Sequence, residues 1–209
     1  MGLSLGYQTT NPGTNALTGG ANSPATIAGN DGVQSFLLTL NGIDPVDTAA
    51  LMLDFDCLGA APAAVETGVD TIDLTLSATP AADIIALAAT AGGNGIVTMP
   101  RGGAAAFAVA TSNLGAPSLI IVSADIGDAG LPVTLSLCQS NPQTGQCLAT
   151  PSATVPLSFA GGATPTFSIF VTATAPIPLD PAKARAFVRF KDAAGNLHGS
   201  TSVAVETGS

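Results

Sequence analysis

The chain has 209 residues, of which 46% are hydrophobic, 9% charged and 4% aromatic, and its formal net charge is -9. So few cations leave no surface for neutralising nucleic-acid phosphates or anionic lipid, and charge this sparse means that hydroxyls and amides must dress the outside. No run of about 18 apolar residues is present to cross a membrane as a helix.

The opening residues MGLSLGYQTT carry neither the basic segment nor the roughly 7 to 15 apolar residues of a secretory signal. Two expectations follow, a cytosolic protein or the mature part of a longer secreted chain. The stretch LSLGYQTTNPGTNAL, 3–17, runs from alternating apolar residues into Asn-Pro and a Gly-Thr turn, which reads as a strand entering a hairpin. QSFLLTLNGIDPVDTAALMLDFD, 34–56, alternates in the same way around an Asp-Pro turn, and its last part places Asp54 and Asp56 on one strand face. Cys57 ends that segment with no cysteine nearby, so it reads either as a thiol with an intermolecular partner or as a small buried one.

Beyond residue 80 the period-two pattern continues almost without interruption. Strands are expected at 83–90, 95–99, 104–112, 118–124, 131–138, 146–158, 165–174, 184–191 and 199–206. Turn signals separate them: GGN at 92–94, GDAG at 127–130, NPQTG at 141–145, AGG at 160–162 and DAAGN at 192–196. Spacings of roughly 8 to 15 residues are those of a β-sandwich with Greek-key connections. The only helical signal is Asp180-Pro-Ala-Lys, where Asp would cap a single turn.

Cys138 and Cys147 bracket the turn-rich QSNPQTGQ, so a disulfide between adjacent strands is expected, contributing roughly 2 to 3 kcal/mol in the chain-entropy model. Two small buried thiols are the alternative. Zinc is disfavoured, because Cys57 is distant and His198 is the only histidine.

The sequence repeats itself. LSLGYQTTNPGTNAL, 3–17, matches LSLCQSNPQTGQCL, 135–148; residues 34–56 match 165–192, with Phe36 on Phe167 and Phe55 on Phe190; and TGVDTIDL, 67–74, matches HGSTSVAV, 198–205. On this alignment Gly6 and Tyr7 stand where Cys138 would be, and Leu17 close to Cys147. The later copy has the stretch 81–130 ahead of its LSL segment, whereas only Met1 and Gly2 precede the earlier one. The organisation expected is all-β: a partial module over 1–79, with about five strands and its N-terminal strands missing, and a complete module of about nine strands over 80–209. Leu38, Leu40, Leu51, Leu53 and Phe55 would then be inner-face residues left partly uncovered.

Candidate chemistry is thin. His198 sits in AGNLHGS with no nucleophile elbow beside it and reads as a turn residue. Asp54 and Asp56 form a carboxylate pair of the kind used in glycoside hydrolysis, but with no Trp and a single Tyr there is no aromatic platform for a sugar, so a solvent-facing pair is the stronger reading. Asp125 and Asp128 are weak candidates for calcium, which takes carboxylate oxygens, although no 12-residue calcium-loop pattern surrounds them. Four of the five basic residues lie in or beside one strand, with Arg185, Arg189 and Lys191 on one face. Asp54 and Asp56 stand at the positions aligned with Arg189 and Lys191, so complementary head-to-tail contacts are one reading and a solvated outer face that resists edge pairing is the other.

YQTTNPGTNALTGGANSP, LCQSNPQTGQC, TPTFSIFV and ARAFVRFKDAAGNLHGSTSVAV together resemble the tandem immunoglobulin-like modules of repeat-rich extracellular proteins of Gram-negative bacteria. The resemblance covers residues 3–206 and implies a place and a fold, two immunoglobulin-like antiparallel sandwiches outside the cell, rather than a reaction. In such proteins the segment before the YQTTNP-like stretch carries the opening strands of its module. The expected function is a non-enzymatic structural spacer of a secreted or surface protein, without cofactor, whose partners are other modules of the same protein or identical subunits. A filament subunit using strand complementation and a calcium- or glycan-binding adhesin domain are the alternatives.

Overall fold

The computed structural model describes residues 2–29, 32–65 and 70–208. The chain forms two compact units, Met1–Val46 and Asp47–Ser209.

The first unit is a two-stranded antiparallel sheet of β1 (Leu3–Thr10) and β2 (Ser35–Gly42). Residues directly opposite in such a pair share a face, so the register Leu5↔Leu40, Tyr7↔Leu38 and Thr9↔Phe36 gathers the large side chains on one side. Tyr7 and Phe36 meet edge to face, their ring centroids 6.3 Å apart.

In the second unit β3 (Val46–Met52) pairs with β4 (Thr71–Leu76). The aligned segment 67–74 begins outside the described residues and enters them at Asp70. Nine further strands follow: β5 (Ile84–Ala89), β6 (Ile96–Met99), β7 (Ala104–Asn113), β8 (Ser118–Asp125), β9 (Val133–Ser140), β10 (Thr154–Phe159), β11 (Thr166–Ala173), β12 (Arg185–Lys191) and β13 (Leu197–Thr207). They make two sheets, ordered β5-β7-β11-β9 and β10-β8-β12-β13-β6. All these ladders are antiparallel except β6 on β13, which is parallel. The protein is therefore an all-β sandwich, as its alternation predicts.

Between the sheets lies one apolar core. Each strand contributes every second residue: Phe107 and Val109 from β7, Leu137 from β9, Phe167, Ile169 and Val171 from β11, facing Ile120 and Val122 from β8, Val188 and Phe190 from β12, and Val203 and Val205 from β13. Phe167 on one sheet meets Phe159 and Phe190 of the other, with centroid distances of 6.3 and 5.8 Å, and Phe159 touches Phe190 at 6.1 Å. These three rings are fully buried and tie the sheets together.

Two polar or backbone details fix the edges of this core. Asn113, fully buried, accepts from the amides of Asp83 and Gly115 through Oδ1 and donates from Nδ2 to the carbonyls of Ala116 and Ala160. A side chain buried this deeply needs such complete pairing. Gly199 lies where β13 passes the Ile84 carbonyl of β5, and a Cβ there would collide with it.

The structure departs from the sequence pattern at five places. β3 ends at Met52, so Asp54 and Asp56 lie beyond the strand rather than on its face. The strand expected over 146–158 begins at Thr154, because the chain first folds back on β9 through the isolated bridges Ser140↔Cys147 and Leu137↔Ser152. Asp180-Pro-Ala-Lys makes a turn and no helix, with the Ala184 and Lys183 amides both donating to the Asp180 carbonyl. His198 belongs to β13 rather than to the preceding loop. The fifth departure is the parallel β6–β13 pair, made possible because β6 and β13 are far apart in sequence and need no hairpin between them.

Burial is distributed unequally along the chain. Among the described residues every buried apolar side chain lies between Ala82 and Val205, and the only buried residue before them is Thr10. Ile169→Ala should therefore cost about 2–5 kcal/mol, as for other fully buried large-to-small changes. Leu38→Ala, at the aligned position in β2, should cost under about 1 kcal/mol. Urea unfolding of both variants checks the contrast.

Candidate assembly surface

The two hairpins that the sequence aligns are built from the same bonds. In the loop after β1, Asn11 Oδ1 accepts from the Gly13 and Thr14 amides at 2.9 and 3.1 Å, and after β9 Asn141 Oδ1 accepts from Gln143 and Thr144 at 2.9 and 3.2 Å. The Asn15 amide donates to the Asn11 carbonyl and the Gly145 amide to the Asn141 carbonyl, both at 2.8 Å. Asn15 and Gly145 share the left-handed backbone, at φ 57° and 71°, which Asn and Gly tolerate. Thr10 and Ser35 join hydroxyls at 2.7 Å where Ser140 and Thr166 do so at 3.0 Å.

This correspondence places Leu17 on Cys147 and Gln8 on Cys138, which corrects the sequence alignment that put Gly6 and Tyr7 there. Asn-Pro follows two residues after Thr9 in one copy and two after Gln139 in the other once the hydrogen bonds, not the LSL triplets, set the register. Cys138 and Cys147 form a disulfide with Cα atoms 5.6 Å apart. In the first hairpin Gln8 Nε2 donates across the same loop to the Gly19 carbonyl at 3.0 Å.

Each loop also shields the outer edge of its strand. Tyr7 receives a bond from the Asn22 amide on its carbonyl and donates its own amide to Asn22 Oδ1, while Leu137 exchanges both backbone bonds with Ser152. The edges of β1 and β9 are thereby closed. β11 has β7 on its other side, but β2 has no second strand among the described residues.

The inner faces differ accordingly. Leu137, Ile169 and Val171 are fully buried, whereas Tyr7, Leu38 and Leu40 are only half-buried and Leu5 is 41% exposed. The same pattern of apolar side chains is thus fully buried in one copy and only partly buried in the other.

The two arginines of β12 bond within this chain. Arg189 Nε donates to Asp125 Oδ2 at 2.7 Å and its guanidinium lies 4.8 Å from the Phe187 ring centre. Asp125 Oδ1 in addition accepts from the Gly127 amide, so this carboxylate is already committed to a cation and a turn. Asp128 is exposed. Arg185 donates to Ser202 Oγ and to the Pro181 carbonyl, and burial lowers its pKa from the ordinary value. Lys191 is half-buried, Asp54 and Asp56 are exposed, and Cys57 is a free, exposed thiol. The structure brings Arg189 and Asp125 together, and does not join either Asp54 or Asp56 to the basic strand.

Sequence reasoning missed the Asp192–His198 pair. His198 Nε2 lies 3.1 Å from Asp192 Oδ2, and Nδ1 lies 3.0 Å from the Ala82 carbonyl, so both ring nitrogens face oxygen acceptors. Asp192 also caps its own turn, accepting from the Ala194 and Asn196 amides and from Asn196 Nδ2. The signal for the turn was the DAAGN motif, but nothing local announces the histidine. A cleft between β4, β5 and β13 is lined by Asp73, Ile84, Arg185, His198 and Ser200, and in it Ser200 Oγ donates to Asp73 Oδ2 at 3.4 Å.

No protein family and no curated protein matches the sequence. Among solved structures, a family 123 glycoside hydrolase from Clostridium perfringens is similar with a TM-score of 0.32 and 11% identity, over 60% of this chain and 27% of that one. Two structures of the major pilin subunit of Bacillus cereus are similar at TM-scores of 0.36 and 0.31, with 9% and 10% identity, over 98% of this chain and 65% of the pilin. The chain thus spans about a quarter of the hydrolase and just under two thirds of the pilin. Likeness at this level decides nothing about activity.

Burial acts to raise the Asp192 pKa, but bonds from the Asn196 side chain, His198 and the Asn196 and Ala194 amides outweigh it and hold the group at about 2, below its ordinary 3.8. A carboxyl depressed on folding stabilises the fold above 3.8, and that contribution is lost as pH falls toward 2. Asp192→Asn should lower Tm by a few degrees at neutral pH and bring the variant's acid limb closer to flat between pH 4 and 2. Thermal melts across that range would test it; parallel wild-type and variant curves would contradict it.

Proposed function

We propose that this chain is a non-enzymatic structural segment of a modular protein that works outside the cell, built from immunoglobulin-like sandwich modules of one kind. The observation that carries the reading is the hairpin that recurs bond for bond at 11–17 and 141–147, since two copies of one loop with the same partners mark two copies of one structural unit. On this reading β1 and β2 correspond to β9 and β11, and β3 and β4 to β12 and β13. Residues 1–79 and 80–209 then carry corresponding strands of two modules of one kind.

The chemistry of the polar groups supports a structural role. In the cleft Ser200 points its hydroxyl at Asp73 and not at His198, whose nitrogens face Asp192 and Ala82, so no nucleophile is coupled to a base. Asp125, the calcium candidate, is held by Arg189. The Cys138–Cys147 bridge fits an oxidising compartment.

Thermal melts with calcium, with EDTA and with a panel of soluble glycans test the structural reading against an adhesin role. A ligand at about 100 times its Kd stabilises by roughly 2.7 kcal/mol, a shift of several degrees. The structural reading predicts unchanged Tm throughout; a saturable rise with any of these ligands would overturn it.

A further inference from the structure

His198 is the extra residue of a β-bulge: along the β12–β13 ladder Phe190 pairs with Gly199 and Lys191 with Leu197, which leaves His198 without a counterpart. A bulge breaks the alternation and re-aims the side chain it carries. Here the imidazole enters the cleft between β4, β5 and β13, and its side chain is only 9% exposed. Gly199 beside it lets the β5 backbone pass where a Cβ would collide, and the Ala82 carbonyl lies 3.0 Å from Nδ1. On the other side Nε2 stands 3.1 Å from Asp192 Oδ2. The ring thus bridges the segment entering β5 in one sheet and the β12–β13 turn of the other. The charged residues on the elements around it are Asp73 of β4, Asp83 at the entry of β5, Arg185, Arg189 and Lys191 of β12, Asp192 of the turn and Glu206 of β13 itself. Of these only Asp192 bonds the ring; Asp73 accepts from Ser200, Arg185 bonds Ser202 and Pro181, Arg189 bonds Asp125, and Glu206 accepts from Thr98.

A carbonyl and a carboxylate only accept, so both bonds exist together only when the ring carries two N–H groups. The neutral ring keeps one. Asp192 is the stronger acceptor because it is charged, so the remaining proton stays on Nε2 and the Nδ1 lone pair then faces the Ala82 carbonyl. No other donor reaches that carbonyl among the described residues, whereas Asp192 retains the Ala194 and Asn196 amides and Asn196 Nδ2. We propose that His198 is a pH-operated latch: the imidazolium ties the entry of β5 to the β12–β13 turn, and loss of its Nδ1 proton releases the Ala82 carbonyl. The latch is shut where the imidazole carries two protons and open where it carries one, a change that histidines make between about pH 5 and 8. The Asp192 carboxyl, held at about 2, stays ionised throughout that range. What opens is local. The Ala81 and Asp83 carbonyls remain bonded to the Ala116 and Leu114 amides, so the entry of β5 loosens from β13 without leaving the segment that follows β7.

Because His198 is the only histidine, proton–nitrogen NMR of the full chain reads its ring without ambiguity. Ring spectra are followed from about pH 5 to about pH 8, with amide exchange, corrected for intrinsic rates, measured at both ends. The Asp83 amide shares a peptide plane with the Ala82 carbonyl and bonds Asn113 Oδ1, so it reports on the latch directly. The proposal predicts two ring N–H groups at the acid end, loss of the Nδ1 proton first, and Asp83 exchange roughly ten-fold faster at the alkaline end, with the β11 amides around Ile169 unchanged. His198→Gln, which does not titrate, should remove the difference between the two ends; where that variant does not fold, the wild-type ring and the Asp83 amide decide. A ring with one proton at the acid end, loss of the Nε2 proton first, or equal Asp83 exchange at both ends would overturn the latch. An acceleration shared by the β11 amides would overturn it as a local device.

Discussion

The contact of Phe167 with Phe159 and Phe190 is what the architecture depends on. A sheet with one apolar face is stable only when a second sheet covers it, and these three rings are where the two sheets of the sandwich meet. Around them every inward side chain of β7, β8, β11 and β12 finds a partner, so the low aromatic content is concentrated where it buries most area. In the first copy Phe36 and Phe55 occupy the positions aligned with Phe167 and Phe190, yet Phe55 remains 47% exposed.

The constraint explains why one sequence pattern has two outcomes. Alternation in β1 and β2 is as regular as in β9 and β11, and their hairpins share the same Asx bonds, left-handed residue and hydroxyl pair. Local chemistry is sufficient for the hairpin, since every one of those bonds lies within a few residues or across one ladder. Burial is not local, because it needs β7 beside β11 and β8 beside β12, strands that lie far ahead in the chain.

Much of this was legible in the residues. In β7 alternate positions from Phe107 onward are buried, so AAAFAVATS declared a strand with one inner face, and the Asn-Pro repeats declared two related hairpins. What stayed hidden was set by partners distant in sequence. Arg189 and Asp125 are 64 residues apart, so a basic strand face and an acidic loop looked like two separate candidate sites until the fold made them one ion pair. Asp54 and Asp56 continue an alternating pattern past the end of β3, because periodicity alone does not mark where pairing with another strand stops. Asn113 lies one residue past the strand expected over 104–112, and its four side-chain hydrogen bonds reach as far as Ala160.

The central claim is that two hairpins sharing the same turn bonds differ in how deeply their strands are buried. Amide hydrogen exchange on the isolated chain compares them directly, since protection follows the free energy of local opening. The account predicts that the amides of β2 around Leu38 exchange orders of magnitude faster than those of β11 around Ile169. Equal protection in the two strands would contradict it.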